Sequence, residues 1–137
     1  MALNIQNQPY GLTLPISHGN GGYFNQSYTI IDQIKSNLIN LLLTRKGERR
    51  MNPLFGSTLY NVIFEFNSAE LIPIIDSTIR SDIQTWMPYL RIKNIAVNIG
   101  DTNRDNYTVN IQIAFAVDQL GLADAQLVDI TLTKPII

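Results

Sequence analysis

The chain has 137 residues, enough for one domain with a single sizeable core. Apolar residues make up 45% and charged residues 15%, which is too apolar for a disordered chain and lightly charged for a globular one. A net charge of −1 gives no field favouring nucleic acid or anionic membrane, and the absence of cysteine excludes disulfides and thiolate metal sites.

A lightly charged surface suits a protein that works against partners. The start, MALNIQNQPYG, has neither a basic n-region nor an apolar h-region, so no signal peptide is expected. No apolar run approaches the roughly 18 residues of a membrane span. Synthesis and folding in a cytoplasm are expected.

Residues 1–28 are rich in Asn, Gln, Gly, Pro and Tyr and read as an extended N-terminal arm. Tyr10 to Ile16 forms one extended segment bracketed by Pro9 and Pro15. His18-Gly19-Asn20-Gly21-Gly22 reads as a turn, because Gly and Asn tolerate positive φ. The arm is expected to pack loosely or to be ordered by a neighbour.

A helix follows from about Thr29 to Thr44, with Ile31, Ile34, Leu38, Leu41 and Leu42 on one face. Asp32, Lys35, Ser36 and Asn40 lie towards the other side. Thr29 and Asp32 resemble a capping box. Arg45 and Lys46 suit the negative end of the helix dipole, and Gly47 the residue past the end. The stretch 45–59 then breaks the periodicity at Gly47, Pro53 and Gly56, with Leu54 and Phe55 available to anchor it to the core.

The apolar segment Leu59 to Phe66 is short enough for a brief helix. A second long helix is expected from near Ser68 to Met87, with Ile72, Ile75, Ile79, Ile83 and Trp86 on one face. Pro73 falls in its first turn and Pro88 ends it. Ile95, Val97 and Ile99 then alternate with smaller or polar residues. So do Tyr107 to Val117 and, past a loop at Gly121, Val128 to Thr133.

Together these elements predict an α+β domain over residues 29–137. Two main helices pack on one face of a three-stranded antiparallel meander. Ile79, Ile83 and Trp86 are expected to bury against the sheet face carrying Val109 and Ile111. The strand from Tyr107 to Val117 should lie inside the meander. The strands at Ile95–Ile99 and Val128–Thr133 should be its edges, the latter closed off by Lys134-Pro135.

The residues give little support for catalysis. His18, the single histidine, sits in a Gly-rich turn, where a solvated role is the simpler reading; it excludes a multi-histidine zinc site within the chain. HGNGG lacks the Lys and the strand–helix context of a phosphate loop. Glu48, Glu65 and Glu70 show no spacing that singles out a glycosidase pair. No cofactor, metal or catalytic residue is expected. The densest polar feature is Arg45, Lys46, Glu48, Arg49 and Arg50, either a solvated helix end or a patch whose guanidinium forks pair with a partner's carboxylates. Glu48 interrupts the cluster and no aromatics interleave, so nucleic acid is the weaker reading.

The stretch Leu41 to Phe66, LLLTRKGERRMNPLFGSTLYNVIFEF, closely resembles the defining segment of the phage baseplate wedge subunit known as gene product twenty-five. That family also includes the matching component of type VI secretion baseplates. Thr44, Arg45, Gly47, Arg49, Pro53, Phe55 and Gly56 carry the pattern. The family's Glu-Pro-Arg motif is altered here: Met87 stands in the acid's place, Pro88 remains, and Arg91 is the nearest arginine.

By resemblance the role is architectural and not enzymatic: a structural subunit in the tail baseplate of a virion, assembled in the host cytoplasm. The implied partners are other wedge proteins, the tail-sheath protein, and tube or hub proteins, with neither nucleic acid nor membrane. Arg45, Glu48, Arg49, Arg50, Pro88 and Arg91 are the expected contacts with the baseplate. Val128, Ile130 and Thr131 are expected to accept a sheath strand by β-augmentation. A type VI secretion component and a cell-wall hydrolase are the alternatives.

Overall fold

The computed structural model describes residues 9–19, 23–65, 70–101, 107–117 and 122–133, in two compact units, Met1–Leu41 and Leu42–Ile137. In the first unit, strand β1 (Gly11–Leu12) pairs antiparallel with β2 (Gln26–Ser27). The Tyr10 amide donates to the Ser27 carbonyl at 2.8 Å and the Thr13 amide to that of Asn25 at 3.2 Å. Among the described residues of the arm, 9–19 and 23–28, two short strands thus pair. Its Leu14–Pro15 peptide is cis. Of the turn expected at 18–22, Asn20, Gly21 and Gly22 lie outside the described residues.

Helix α1 spans Ile30–Leu43. Thr29 caps it: its Oγ1 accepts the Asp32 amide at 3.2 Å and donates to Asp32 Oδ2 at 2.6 Å. The Asp32 carboxylate thus takes the Thr29 hydroxyl, where a Glu of a full capping box reaches back to the backbone. Ile34, Leu38, Leu41 and Leu42 are buried as their spacing predicts, and Ile31 is half-buried. Ser36 departs from expectation. It is buried, and its Oγ accepts the Leu14 amide at 3.2 Å, so a polar side chain on the helix satisfies a donor of the arm.

In the second unit, α2 (Leu59–Glu65) packs on α3 (Leu71–Trp86). Pro73 occupies the third position of α3, where no intrahelical amide is lost. Met87 closes the helix, donating its amide to the Ile83 carbonyl, and Pro88 prevents continuation. The buried side is Leu71, Ile75, Ile79, Asp82 and Ile83. Ile72 is not part of it, being 46% exposed, and Trp86 is only half-buried. The apolar stripe starts one residue earlier than expected because Leu71, four before Ile75, takes the core position.

The sheet runs β3 (Arg91–Asp101), β4 (Tyr107–Val117), β5 (Leu122–Thr133), all antiparallel and in that order, with α3 meeting β3. Register sets Ile111 between Val97 and Ile130, and Ile113 between Ile95 and Val128. Val109, Ile111, Ile113, Phe115, Val128, Ile130 and Leu132 are buried, while Asn110, Gln112, Asp129 and Thr131 on the opposite face are exposed. This is the alternation of a sheet with one covered face. The fold is α+β, with a central β4 and edge strands β3 and β5. Both edge strands are longer than expected because a bulge in each interrupts the period of two, at Lys93 and within 122–126. Lys134 and Pro135 lie outside the described residues.

Replacing Ile79 with Ala should cost ~2–5 kcal/mol, because it is fully buried and a cavity would remain, whereas Ile72→Ala should stay within ~0.5 kcal/mol. Urea unfolding of the two variants, at unchanged m-value, measures both.

Candidate functional site

The segment after α1 folds into a closed loop. Arg45 and Ser57 form a parallel bridge, and the Ser57 amide donates to the Thr44 carbonyl at 2.8 Å. One turn further out the Gly47 amide donates to the Pro53 carbonyl at 2.8 Å. Two glycines make this path possible. Gly47 has φ +88° and stands in a turn of the loop, not at the helix C-terminus as its position suggested. Gly56 has φ +124°, and a Cβ there would lie 2.6 Å from the Thr44 carbonyl oxygen. A side chain would be strained by both conformation and contact.

Charged groups secure the loop. The Glu48 carboxylate accepts the Arg45 amide at 3.0 Å. The Arg45 guanidinium lies 3.7 Å over the Tyr60 ring and that of Arg49 lies 4.5 Å over Phe55. Phe55 in turn meets Trp86 edge to face, with centroids 5.1 Å apart at 72°. Such contacts contribute about 0.5–1.5 kcal/mol each. Below them sits Asp82, 4% exposed. Its Oδ2 accepts the Ser57 hydroxyl, whose oxygen accepts the Leu59 amide at 3.1 Å. Its Oδ1 is 3.6 Å from Lys46 Nζ. A buried carboxylate is tolerable only with such partners.

The expected contact residues therefore divide. Arg45, Glu48 and Arg49 make contacts within the loop, and Arg50 is exposed beside them. The Phe55–Trp86 contact brings the loop to the end of α3, two residues before Pro88. Pro88 is exposed, and Arg91 opens β3 opposite Ala116. Met87, in the family acid's place, is buried, so that position serves the core here. Burial also pushes the Tyr89 hydroxyl above its usual value by penalising the phenolate. Val128, Ile130 and Thr131 lie on the opposite edge of the sheet from Arg91. The Val128 and Ile130 side chains are buried, so only their backbone is available to a partner, and Thr131 is exposed.

Two features were not singled out from the sequence. Asp82 falls three residues after Ile79, on the core face of α3, and that spacing was the available signal. Tyr60 gave none. Leu54, expected to anchor the loop inwards, is 75% exposed. Among the carboxylates considered for hydrolysis, Glu48 is bound in the loop, Glu70 is exposed, and the Glu65 side chain lies outside the described part. Among the described residues no cluster of three His, Asp or Glu side chains could hold a metal ion, and no helix is long and apolar enough to cross a membrane.

The family model described as "Baseplate wedge protein gp25" matches residues 29–120. Baseplate wedge protein gp25 of Enterobacteria phage T4 is 33% identical over 84 residues, 61% of each chain, so this chain spans about three-fifths of the curated relative's length. Three solved structures share the fold. A candidate tail lysozyme from Geobacter sulfurreducens aligns with TM-score 0.60 at 16% identity, covering 80% of this chain and 93% of that one. A chain of the anti-feeding prophage baseplate gives 0.56 at 16%, covering 88% and 81%. A chain of the type VI secretion baseplate complex gives 0.57 at 13%, covering 77% and 94%.

Asp82→Ala should cost ~1–3 kcal/mol, because it leaves the buried Ser57 hydroxyl without its acceptor. It should also speed hydrogen exchange at the Gly47 and Ser57 amides. Lys46→Ala, removing a half-exposed partner at 3.6 Å, should cost under ~1 kcal/mol and leave that exchange nearly unchanged.

Proposed function

This chain belongs to the baseplate wedge protein gp25 family, and from that premise we propose that it is a structural subunit of a contractile phage-tail baseplate that starts the tail sheath by strand addition. The observation that carries this reading is the sheet order β3-β4-β5. Each outer strand offers a row of main-chain donors and acceptors on one side, the substrate of β-augmentation. On β5, residues from Gln126 to Thr133 follow β4 without a break after the bulge, giving eight residues in regular register for an incoming strand. Asp129 and Thr131 are exposed along it, so the edge is solvated until a sheath strand arrives. On β3 the bulge at Lys93 places a charge and an irregularity at one end, which disfavours casual pairing there.

In this reading residues 29–137 act as the wedge domain and 1–28 as its arm. The subunit sits in the virion's baseplate, assembled in the host cytoplasm, against other wedge proteins and the tube or hub. The loop at Arg45, Glu48, Arg49 and Arg50, with Pro88 and Arg91 nearby in the chain's path, meets the wedge partners. A non-enzymatic role fits the chemistry. Asp82 Oδ2 accepts the Ser57 hydroxyl and Glu48 Oε2 accepts the Arg45 amide, so each carboxylate serves the fold. A type VI secretion baseplate is the second reading, favoured by the fold shared with a chain of that complex.

Placing Pro at Thr131 removes a main-chain donor from β5. Baseplates carrying Thr131→Pro should still form, and sheath polymerisation should fail or start late, as counted by electron microscopy. Circular dichroism must find the domain folded, since the same change can break pairing with Asn110. Normal sheath growth from a folded variant rules out β5 and leaves β3 as the edge.

A further inference from the structure

The outer part of the loop, Glu48 to Leu54, is held by the contacts beneath it and yet carries apolar side chains into solvent. Met51 is 98% exposed and Leu54 75% exposed. Neither is needed to shape the loop, whose path is fixed by the Gly47–Pro53 and Thr44–Ser57 hydrogen bonds and by the stacked Arg45 and Arg49. An exposed methionine on an ordered loop gains nothing from water, and Met and Arg are the residues enriched where proteins meet. The electrostatics are one-sided. From Arg45 to Met51 there are four cations and one carboxylate, and that carboxylate is held at the base by the Arg45 amide.

We propose that Met51 and Leu54 are the apolar anchor of a docking tip, and that its occupant is a protein surface with an apolar pocket rimmed by carboxylates. The inference rests on the baseplate reading and adds to it a division of labour. Arg45, Arg49, Gly56 and Asp82 hold the tip in shape, Arg50 supplies charge at its rim, and Met51 and Leu54 enter the pocket. Because the loop is ordered before contact, little conformational entropy remains to be lost on docking. Burial of the two side chains is insensitive to salt, whereas the Arg50 contribution is screened.

The test uses the full chain and a wedge complex reconstituted from the other baseplate proteins of the same tail without it. Met51→Ser/Leu54→Ser should weaken binding by about tenfold or more at both low and high salt, with an unchanged urea midpoint, because both side chains are solvated in the free chain. Arg50→Glu should weaken binding at low salt and much less at high salt. A double serine variant that joins the complex with wild-type affinity overturns this inference and leaves the baseplate reading standing. A wild-type chain that does not join the complex overturns both. Sedimentation of the chain alone decides about a second copy: a dimer lost in the double variant would assign the tip to self-association and overturn the acidic partner.

Discussion

The close approach of Gly56 to Thr44 is the constraint on which the loop after α1 and the start of α2 depend. It lets the chain leave α1, travel through thirteen residues of irregular backbone and return beside its own exit, with Ser57 pairing against Arg45. Once the ends are closed, Ser57 faces Asp82 on α3 and the Leu59 amide finds Ser57, so the start of α2 is fixed by the same network. The loop would otherwise cost the entropy of some dozen free residues, and its hydrogen bonds alone offset little of that. The stacking of Arg45 on Tyr60, of Arg49 on Phe55 and of Phe55 on Trp86 offsets a further part of that cost. Arginine serves here as a flat apolar cover with a charge, a use that lysine does not match.

The remaining half is a sheet in which β4 supplies most of the core and the flanking strands each keep one edge outward. Core and edge are compatible because the pleat separates them: Ile111 and Ile113 point into the covered face while the main chain of β5 hydrogen-bonds in the plane of the sheet. Partner binding at such an edge uses no buried side chain and leaves the core undisturbed. A basic loop and, among the described residues, two outer strands each unpaired on one side fit the baseplate wedge family to which the chain belongs.

The sequence revealed different parts unequally. Periodicity located β4 at its observed bounds, because Tyr107, Val109, Ile111, Ile113, Phe115 and Val117 alternate with smaller or polar residues along it. It underestimated β3 and β5, because a bulge shifts the phase and an alternation count stops there. Helix α3 was legible from its stripe and its prolines, but Ile72 and Trp86 were assigned too deep a position. A stripe fixes the direction of a face and not the depth to which its margins are covered. The loop was recognisable by resemblance while its geometry was hidden. The Ser57–Asp82 hydrogen bond joins residues 25 apart in sequence, and the return of the loop depends on Gly56 at a φ of +124° beside the Thr44 carbonyl. Local pattern carries no such information.

The central claim is that this chain is a fixed part of a baseplate, held there by its loop and by a sheet edge. The most direct measurement is a reconstruction of the intact tail, at a resolution that traces side chains, with every baseplate chain identified. The account predicts this chain in the baseplate, with Met51 and Leu54 inside a partner's pocket and a strand from another protein hydrogen-bonded along β5 or β3. A particle that lacks the chain, or one in which the loop and both sheet edges face solvent, would contradict it.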